Sequence, residues 1–565
     1  MPATLRDTIL SRAAAHPDQV YVRCVFPDGS DSAVTYAGLT ARGSQFATLL
    51  RSEGITPGEI VVVLLPHSSD LYSAFFGAIL GGFVPTMLAV PSFKLNPEYY
   101  RQELLALLRR IEARALITDT ATAEHLSLVG GVGPRLEEST RLVLADRLTP
   151  EQCSPPDLSV RPDDPVLLQH SSGSTGLKKG VALSNAAVLR QVELYAPLLQ
   201  FRPEDRIASW LPLYHDMGLI ACAVLPLVEG VPVSALSPFH WITRPASLLH
   251  LITEDRCTHA WLPNFAYEFM ASRVRNSQLE GVRLDSMRAW INCSEPTVPR
   301  SHRHFLERFR PYGVREETLW TCYAAAETTF AVSQSNLDAP PRVERVDRDA
   351  FLTRRLALPA AGEETPALEL MSGGRLLPET EIRIVSDEGL DLGERHVGEI
   401  AVRSASLFTG YFRDAEATDR ALKDGWYFTG DLGYQAEGHL FITGRKKDVI
   451  IIAGKNYYPQ DIERIVSDTP GIYPGRVVAL GLDDPVLGTQ RLIVLAEVSD
   501  PADVDSSDLA AEVRKRMSEH LDCGIDDLRL LPHMWLLKTS SGKIARAPNL
   551  KRYLELFGPQ TGAAG

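Results

Sequence analysis

The sequence predicts an α/β protein, with helix-covered sheets over most of the chain, a small β-rich subdomain after them and a small α+β domain at the C-terminal end. Three observations point there. The 565 residues exceed what one hydrophobic core organises, so more than one domain is expected. Apolar strand-like runs alternate with helical patterns from residue 20 past residue 166, and such alternation implies parallel sheets covered by helices. A polar boundary running from Gly444 to Asp448 then introduces a fresh set of strands and helices.

Taken in order, residues 4–15 carry apolar side chains at helical spacing behind a Thr4 cap. Residues 20–26 read as a strand turning at Asp28 and Gly29, and Thr35 caps a helix running through Leu49 and Leu50. Residues 60–65, Ile-Val-Val-Val-Leu-Leu, form a fully buried strand. From Leu71 to Val90 no residue is charged, a length sufficient to span a bilayer. Gly81, Gly82 and Pro85 interrupt that run and Pro91 closes it. A buried helix ending at the glycines, followed by a buried strand, is therefore predicted in place of a transmembrane segment. Further strands follow at 115–118, 143–144 and 166–168.

Between 334 and 378 the periodicity weakens into Pro-, Asp-, Glu- and Arg-rich sequence, which reads as a surface insertion, partly structured at best. Short strands at 381–385 and 398–402 suggest the β-rich subdomain. Past the boundary, segments at 449–452, 459–466 and 491–498 and a helix over 507–520 suffice for an α+β domain of about a hundred residues.

Composition narrows the partners. A hydrophobic content of 45% and a charged content of 23% are those of a soluble globular protein, and the net charge of −13 argues against nucleic-acid binding. Cys24, Cys153, Cys222, Cys257, Cys293, Cys322 and Cys523 are dispersed without a Cys-x-x-Cys pair, which fits a reducing compartment and supplies no metal framework. The N-terminus has an early acid, Asp7, and no apolar core, so no secretory leader is expected and a cytoplasmic location is. Oligomeric state is not encoded in any pattern here.

The most informative stretch is residues 170–180, His-Ser-Ser-Gly-Ser-Thr-Gly-Leu-Lys-Lys-Gly, placed directly after an apolar run. Gly173, Gly176 and Gly180 let successive N–H groups converge on an anion, Ser171, Ser172, Ser174 and Thr175 add hydroxyl donors, and Lys178 or Lys179 supplies charge. It is neither the Walker spacing nor the Gly-x-Gly-x-x-Gly dinucleotide pattern. Alone it is also readable as a flexible surface turn.

Six more motifs follow in order: Trp-Leu-Pro-Leu-Tyr-His-Asp-Met-Gly at 210–218, Asn-Cys-Ser-Glu-Pro at 292–296, Cys-Tyr-Ala-Ala-Ala-Glu-Thr-Thr at 322–329, Tyr-Phe-Thr-Gly-Asp-Leu-Gly at 427–433, Gly-Arg-Lys-Lys-Asp at 444–448, and Lys-Thr-Ser-Ser-Gly-Lys-Ile at 538–544. With the glycine loop, this array resembles the adenylate-forming superfamily over nearly the whole chain. Within it the sequence looks most like the fatty acyl-AMP ligases, through residues 213–218, Pro263-Asn264-Phe265-Ala266-Tyr267, residues 456–463 and the insertion after Glu327. In those ligases a comparable insertion is associated with poor use of coenzyme A.

The resemblance implies an N-terminal domain, residues 1–445, of two helix-covered mixed or parallel sheets plus a small β-rich subdomain, and a mobile C-terminal domain, residues 446–565, turning about Lys447. It implies ATP and Mg²⁺ as cofactors, a medium- or long-chain fatty or polyketide-like acid as substrate, and an acyl carrier protein as acceptor, with coenzyme A the alternative. An anion must attack an anion, so charge has to be neutralised first. Thr175 and Lys179 would hold the β- and γ-phosphates, and Mg²⁺ would take Glu327, with Thr175 near it. Tyr323 would offer its face to adenine beside Ser294, Glu295 and Pro296, with Ala326 and Thr328 in the same nucleotide site. Asp431 would accept from the ribose hydroxyls, with Arg445 adding a donor. Lys543 would reach the attacking carboxylate and the α-phosphate together. His215, Met217, Gly218, Asn264, Phe265 and Ala324 would shape the acyl site.

Taken singly, Asp431 is also a turn cap and Lys543 a solvated lysine; the ordered array is what gives them roles. Two departures touch no reacting group: Ala324 stands where the family has glycine, and Lys178 where it has proline. The segment 91–98 is also unlike the usual ligase sequence, so a divergent acyl group is expected. A rival of another class, a noncatalytic acyl- or adenylate-binding protein, is opposed by the survival of Lys543, Glu327 and Asp431.

Overall fold

Two sheets form the body of the protein. In the computed structural model, Val20–Val25, Val233–Leu236, Ile207–Ser209, His259–Leu262, Ala289–Asn292 and Leu319–Ala324 run parallel, side by side in that order, within a nine-stranded sheet. Antiparallel strands close both its edges: Asp31–Thr35 on one, Ala331–Gln334 and Arg375–Leu376 on the other. A second, four-stranded sheet is wholly parallel, in the order Val84–Met87, Ile60–Leu64, Ala115–Thr118 and Arg141–Leu144. The structure describes residues 2–91, 97–129, 136, 139–148, 153–170, 179–335, 339–452, 454–484, 489–504, 506–521, 523–538 and 544–557.

The local signals read from the sequence act as expected. Thr4 and Thr35 each accept a backbone N–H, from Asp7 and Gly38, and start the helices Leu5–Ala15 and Tyr36–Ser52. The uncharged run folds into the buried helix Ser69–Leu80, stops at Gly81, and continues as the strand Val84–Met87. Among the described residues no helix is long and apolar enough to cross a membrane.

One expectation is corrected. The run at 166–168 does not join a parallel sheet. It belongs to the strand Pro165–His170, which pairs antiparallel with Gly180–Ser184, and a third strand, Gly410–Tyr411, adds to the hairpin. The reason is length, because a parallel return needs a crossover of about a dozen residues or more and this loop is shorter.

The β-rich subdomain is an antiparallel sheet of Glu381–Val385, Gly398–Arg403, Trp426–Ala436 and Leu422–Lys423, with His439–Arg445 paired to Trp426–Ala436. Beyond it, Ile472–Asp484, Thr489–Val498 and Asp527–Leu531 form a three-stranded sheet accompanied by the helices Pro459–Ser467, Ser507–Leu521 and Arg546–Phe557.

The insertion is more regular than its polar sequence suggests. Val343–Asp347 and Ala367–Met371 pair antiparallel on either side of the helix Arg348–Arg354. Val346, Phe351 and Leu352 leave this unit for a core shared with Tyr434 and Phe441 of the β-rich subdomain and with Tyr458, Ile462 and Val494 of the C-terminal region. The Phe351 and Tyr458 rings lie 5.4 Å apart, Asn456 Nδ2 donates to the Leu352 carbonyl at 3.1 Å, and Arg348 donates to the His520 carbonyl at 2.6 Å. A few apolar side chains spaced among charges are enough to order the segment once a partner surface is present.

Two buried imidazoles give the fold an acid limit. Burial pushes His259 down to about 4 and His302 down to about 3. In the unfolded chain such rings take up protons below about 6.5, while in the fold they stay neutral until pH falls far lower. The unfolded state therefore binds more protons between those limits, and stability falls as pH drops below 6.5. Thermal melts should show the Tm declining between pH 7 and pH 5, with a shallower decline in His302→Gln. A flat profile would contradict the assignment.

Candidate active site

The glycine loop is framed by the hairpin, where His170 stands opposite Gly180. Ser171, Ser172, Gly173, Ser174, Thr175 and Gly176, together with Lys178, lie outside the described residues. Lys179 stands at the foot of the loop with its ammonium 4.4 Å from the centroid of the Tyr411 ring. The strand Gly410–Tyr411 pairs with Gly180–Ser184, which fixes that ring beside the loop. The Tyr411 hydroxyl donates to Glu327 Oε1 at 2.8 Å. Lys179, Tyr411 and Glu327 therefore form a line of cation, ring and carboxylate.

Glu327 occupies a single 3₁₀ turn, Ala326–Thr328, just past the sheet strand Leu319–Ala324. Burial raises its pKa, opposed by hydrogen bonds from the Tyr411 and Tyr427 hydroxyls. No described lysine or arginine forms an ion pair with it. A buried carboxylate without a cation is costly, and a hard divalent cation shared with phosphate oxygens fits it. Among the described residues no group of three or more His, Cys, Asp or Glu side chains is gathered to hold a metal by itself. Ala324 is half-buried and Ala326 buried. The Thr328 hydroxyl lies 2.9 Å from the Ala325 carbonyl and 2.8 Å from that of Phe330, so it serves its own turn.

The groups expected at the nucleoside also meet. Asp431 and Arg445 face each other across neighbouring strands, with Nε 3.3 Å from Oδ1, and the carboxylate holds the guanidinium charged. The Tyr323 hydroxyl donates to the other oxygen of Asp431 at 2.8 Å, which locks the ring's orientation.

Ser294 follows the strand Ala289–Asn292 in the left-handed region, φ 68°, and its hydroxyl lies 3.7 Å from Met217 Sδ. The Glu295 carboxylate accepts the Phe265 N–H at 2.9 Å and so caps the helix Asn264–Arg273. Pro296 is exposed beside it. Asn264 is committed to structure: its oxygen accepts from Asn292 Nδ2 at 2.9 Å and from the Val298 N–H at 3.1 Å, and its nitrogen donates to Ser301 at 3.2 Å. Phe265 packs edge-on to Trp210 and Trp241, whose rings stack 3.7 Å apart.

His215 and Met217 enter a stretch of widened helix, Met217–Val224, in which Leu225 N–H reaches back to Ile220. The Tyr214 carbonyl accepts from Gln169 at 3.0 Å, tying this segment to the strand before the glycine loop. Gly218 has no room for a side chain: a Cβ there would lie 2.8 Å from the Pro212 carbonyl carbon and closer still to its oxygen. Gly218→Ala is expected to cost about 1–3 kcal/mol through forced backbone displacement. The measurements are a lowered Tm and weaker acid-dependent ATP–pyrophosphate exchange.

Around Lys447, the residue expected to act as a hinge, Lys446 binds Glu399 at 3.0 Å and Asp387 at 3.1 Å in the β-rich subdomain, while Asp448 pairs with Arg546 of the C-terminal region at 3.6 Å. Lys447 sits exposed between these two anchors. Lys543 lies outside the described residues. The residues on either side of it are described: Lys538 bridges Ile544, and the Ala545 N–H donates to the Leu537 carbonyl at 3.0 Å. Sequence reasoning missed Tyr411 and the role of Asn549, which accepts the Leu537 N–H at 2.9 Å and donates to its carbonyl at 2.8 Å. No local motif marks either residue.

Residues 10–412 match the AMP-binding enzyme family. The chain belongs to that family. It is 32% identical over 528 residues to a putative acyl-CoA synthetase of Caulobacter vibrioides, covering 92% of this chain and 90% of the relative. It is 30% identical over 556 residues to the long-chain-fatty-acid–AMP ligase FadD26 of Mycobacterium marinum, covering 93% and 92%. A medium-chain-fatty-acid–[acyl-carrier-protein] ligase, JamA of Moorena producens, is 29% identical over 545 residues, covering 93% and 90%. A solved structure from work on fatty acyl-adenylate ligases of E. coli and L. pneumophila superposes with a TM-score of 0.88 at 29% identity, covering 98% of this chain and 97% of that one. In this AMP-binding enzyme the matched region closes at Phe412, directly after Tyr411. The strand that carries Tyr411 beside Glu327 is therefore the last part of the match.

Proposed function

We propose that the protein is an ATP-dependent fatty acyl-AMP ligase that passes its acyl group to the phosphopantetheine thiol of an acyl carrier protein in the cytoplasm. The observation that carries the first half is the meeting of Lys179, Tyr411 and Glu327 at the foot of the glycine loop. A substrate carboxylate oxygen forms a bond to the α-phosphorus while the bond to the β-bridging oxygen breaks, releasing pyrophosphate. Asp431 and Arg445 hold the ribose, Tyr323 the adenine, and Lys179 the outgoing phosphates. Lys543 neutralises charge on the attacking carboxylate and the α-phosphoryl oxygens. Mg²⁺ at Glu327 would supply charge neutralisation on the phosphates. The carrier thiolate then adds to the acyl carbonyl and AMP leaves.

The acceptor assignment is supported by the insertion. Its apolar side chains share a core with the C-terminal region, which we read as the mobile domain 446–565 turning about Lys447. A domain held in this way favours an acceptor that brings its own docking surface over a small free thiol.

Mass spectrometry of products from ATP, Mg²⁺ and a panel of fatty acids tests the proposal, with coenzyme A in one arm and a phosphopantetheinylated carrier protein in the other. Acyl-adenylate accumulating with coenzyme A and acyl-carrier forming in the second arm is the expected result. Abundant acyl-CoA would move the protein to the acyl-CoA synthetases.

A further inference from the structure

The helix Asn264–Arg273 is engaged at both ends. Glu295 caps its first turn, and Arg273, its last residue, reaches the C-terminal region. The Arg273 guanidinium lies 5.2 Å from the centroid of the Tyr473 ring and donates to the Tyr473 hydroxyl. Tyr473 stacks on His533, with centroids 4.4 Å apart and planes 24° from parallel. His533 Nδ1 in turn lies 3.1 Å from Glu497 Oε2.

Glu497 is an acid at 0% exposure on the strand Thr489–Val498. Its carboxylate accepts the Met534 N–H at 3.0 Å and the Leu536 N–H at 2.7 Å, and Arg476 stands 3.6 Å away. A buried carboxylate persists where donors replace its hydration, and here Arg476 supplies charge while the hydrogen-bond partners come from one segment, residues 533–536. That segment runs straight into Leu537 and Lys538, and Lys538 bridges Ile544. In sequence, Lys543 is the residue before Ile544. The activity proposed above uses none of Glu497, His533, Tyr473 and Arg273.

We propose that Glu497 is a positioning residue for adenylate formation: through His533 and Tyr473 it fixes the Lys538–Ile544 bridge, which flanks Lys543 in sequence, against the helix that carries Phe265. This rests on the function proposed above. On the proposed turning of residues 446–565 about Lys447, the Arg273–Tyr473 contact would be lost, and the arrangement would then serve the first half-reaction and not the second.

The test uses the full chain and the variants Glu497→Gln, Arg273→Ala and Tyr473→Phe. Acid-dependent ATP–pyrophosphate exchange reports the first step. Transfer from supplied acyl-adenylate to a phosphopantetheinylated carrier protein reports the second. Arg273→Ala is expected to lower kcat for exchange about 2–5-fold, the size of an exposed cation–π contact, with KM for ATP and the transfer rate unchanged. Glu497→Gln is expected to lower it about tenfold or more, as loss of charge-assisted hydrogen bonds does. Tyr473→Phe, which keeps the ring, should stay near wild type. A readout independent of activity is tryptic cleavage at Arg445, Lys446 and Lys447, which should quicken in Arg273→Ala as the domain undocks. Wild-type exchange and cleavage in Arg273→Ala would overturn the proposal, as would equal loss of both half-reactions in the variants. A wild-type chain that activates no acid bears on the function instead, and the cleavage comparison then decides the positioning role.

Discussion

Replacing Lys543 with alanine is expected to lower acyl-adenylate formation by about 10²–10³, the cost of removing one well-placed donor to developing charge. ATP affinity and Tm should hardly change, because the residues flanking Lys543 are held by Asn549 and Glu497. Transfer from supplied acyl-adenylate should stay within a few-fold of wild type. Lys543→Arg should rescue little, since a planar guanidinium does not reproduce a compact ammonium on a flexible stem. ATP–pyrophosphate exchange beside the transfer assay separates the steps. A Lys543→Ala protein that exchanges at the wild-type rate would remove this lysine from the chemistry.

Glu327→Gln is expected to cost on the order of 10² in adenylation, as loss of an electrostatic partner to the phosphates. The amide oxygen can still accept from the Tyr411 hydroxyl, so the Lys179–Tyr411–Glu327 line keeps its shape. What disappears is the negative charge. Exchange in the variant should therefore need far more Mg²⁺ for half-maximal rate, while Tm should hold or rise because a buried charge with no ion pair among the described residues has been removed. Unchanged Mg²⁺ dependence would exclude Glu327 as the cation's ligand. A lowered Tm would show that its charge is structural.

The sequence made the body legible because local and global signals agree there. Thr4 and Thr35 cap helices as their hydroxyls demand, and the Ile60–Leu64 strand is buried as its unbroken apolar run requires. Of the residues expected at the nucleotide, Asp431 and Arg445 were singled out by their motifs, and the register of two adjacent strands sets them opposite each other. The site was illegible at Tyr411, which meets Glu327 from 84 residues away. Its position comes from strand pairing with Gly180–Ser184, and no spacing rule carries that. Glu497 was hidden for a different reason: a lone acid in an apolar strand looks like a surface side chain until its donors from residues 534 and 536 are in place. The insertion misled because charge-rich composition dominates the periodicity, while order there depends on Val346, Phe351 and Leu352 finding a surface far along the chain.

That shared core also bears on time. Separating Phe351 and Leu352 from Tyr458 and Ile462 would uncover side chains worth roughly 1.5–3 kcal/mol each when buried. On the proposed turning of the C-terminal domain about Lys447, each pass between the half-reactions would carry an activation barrier set by this apolar contact. The bound acyl-adenylate would wait in the enzyme for a carrier whose docking energy offsets that exposure, and its dwell time would be a property of the insertion more than of the active site.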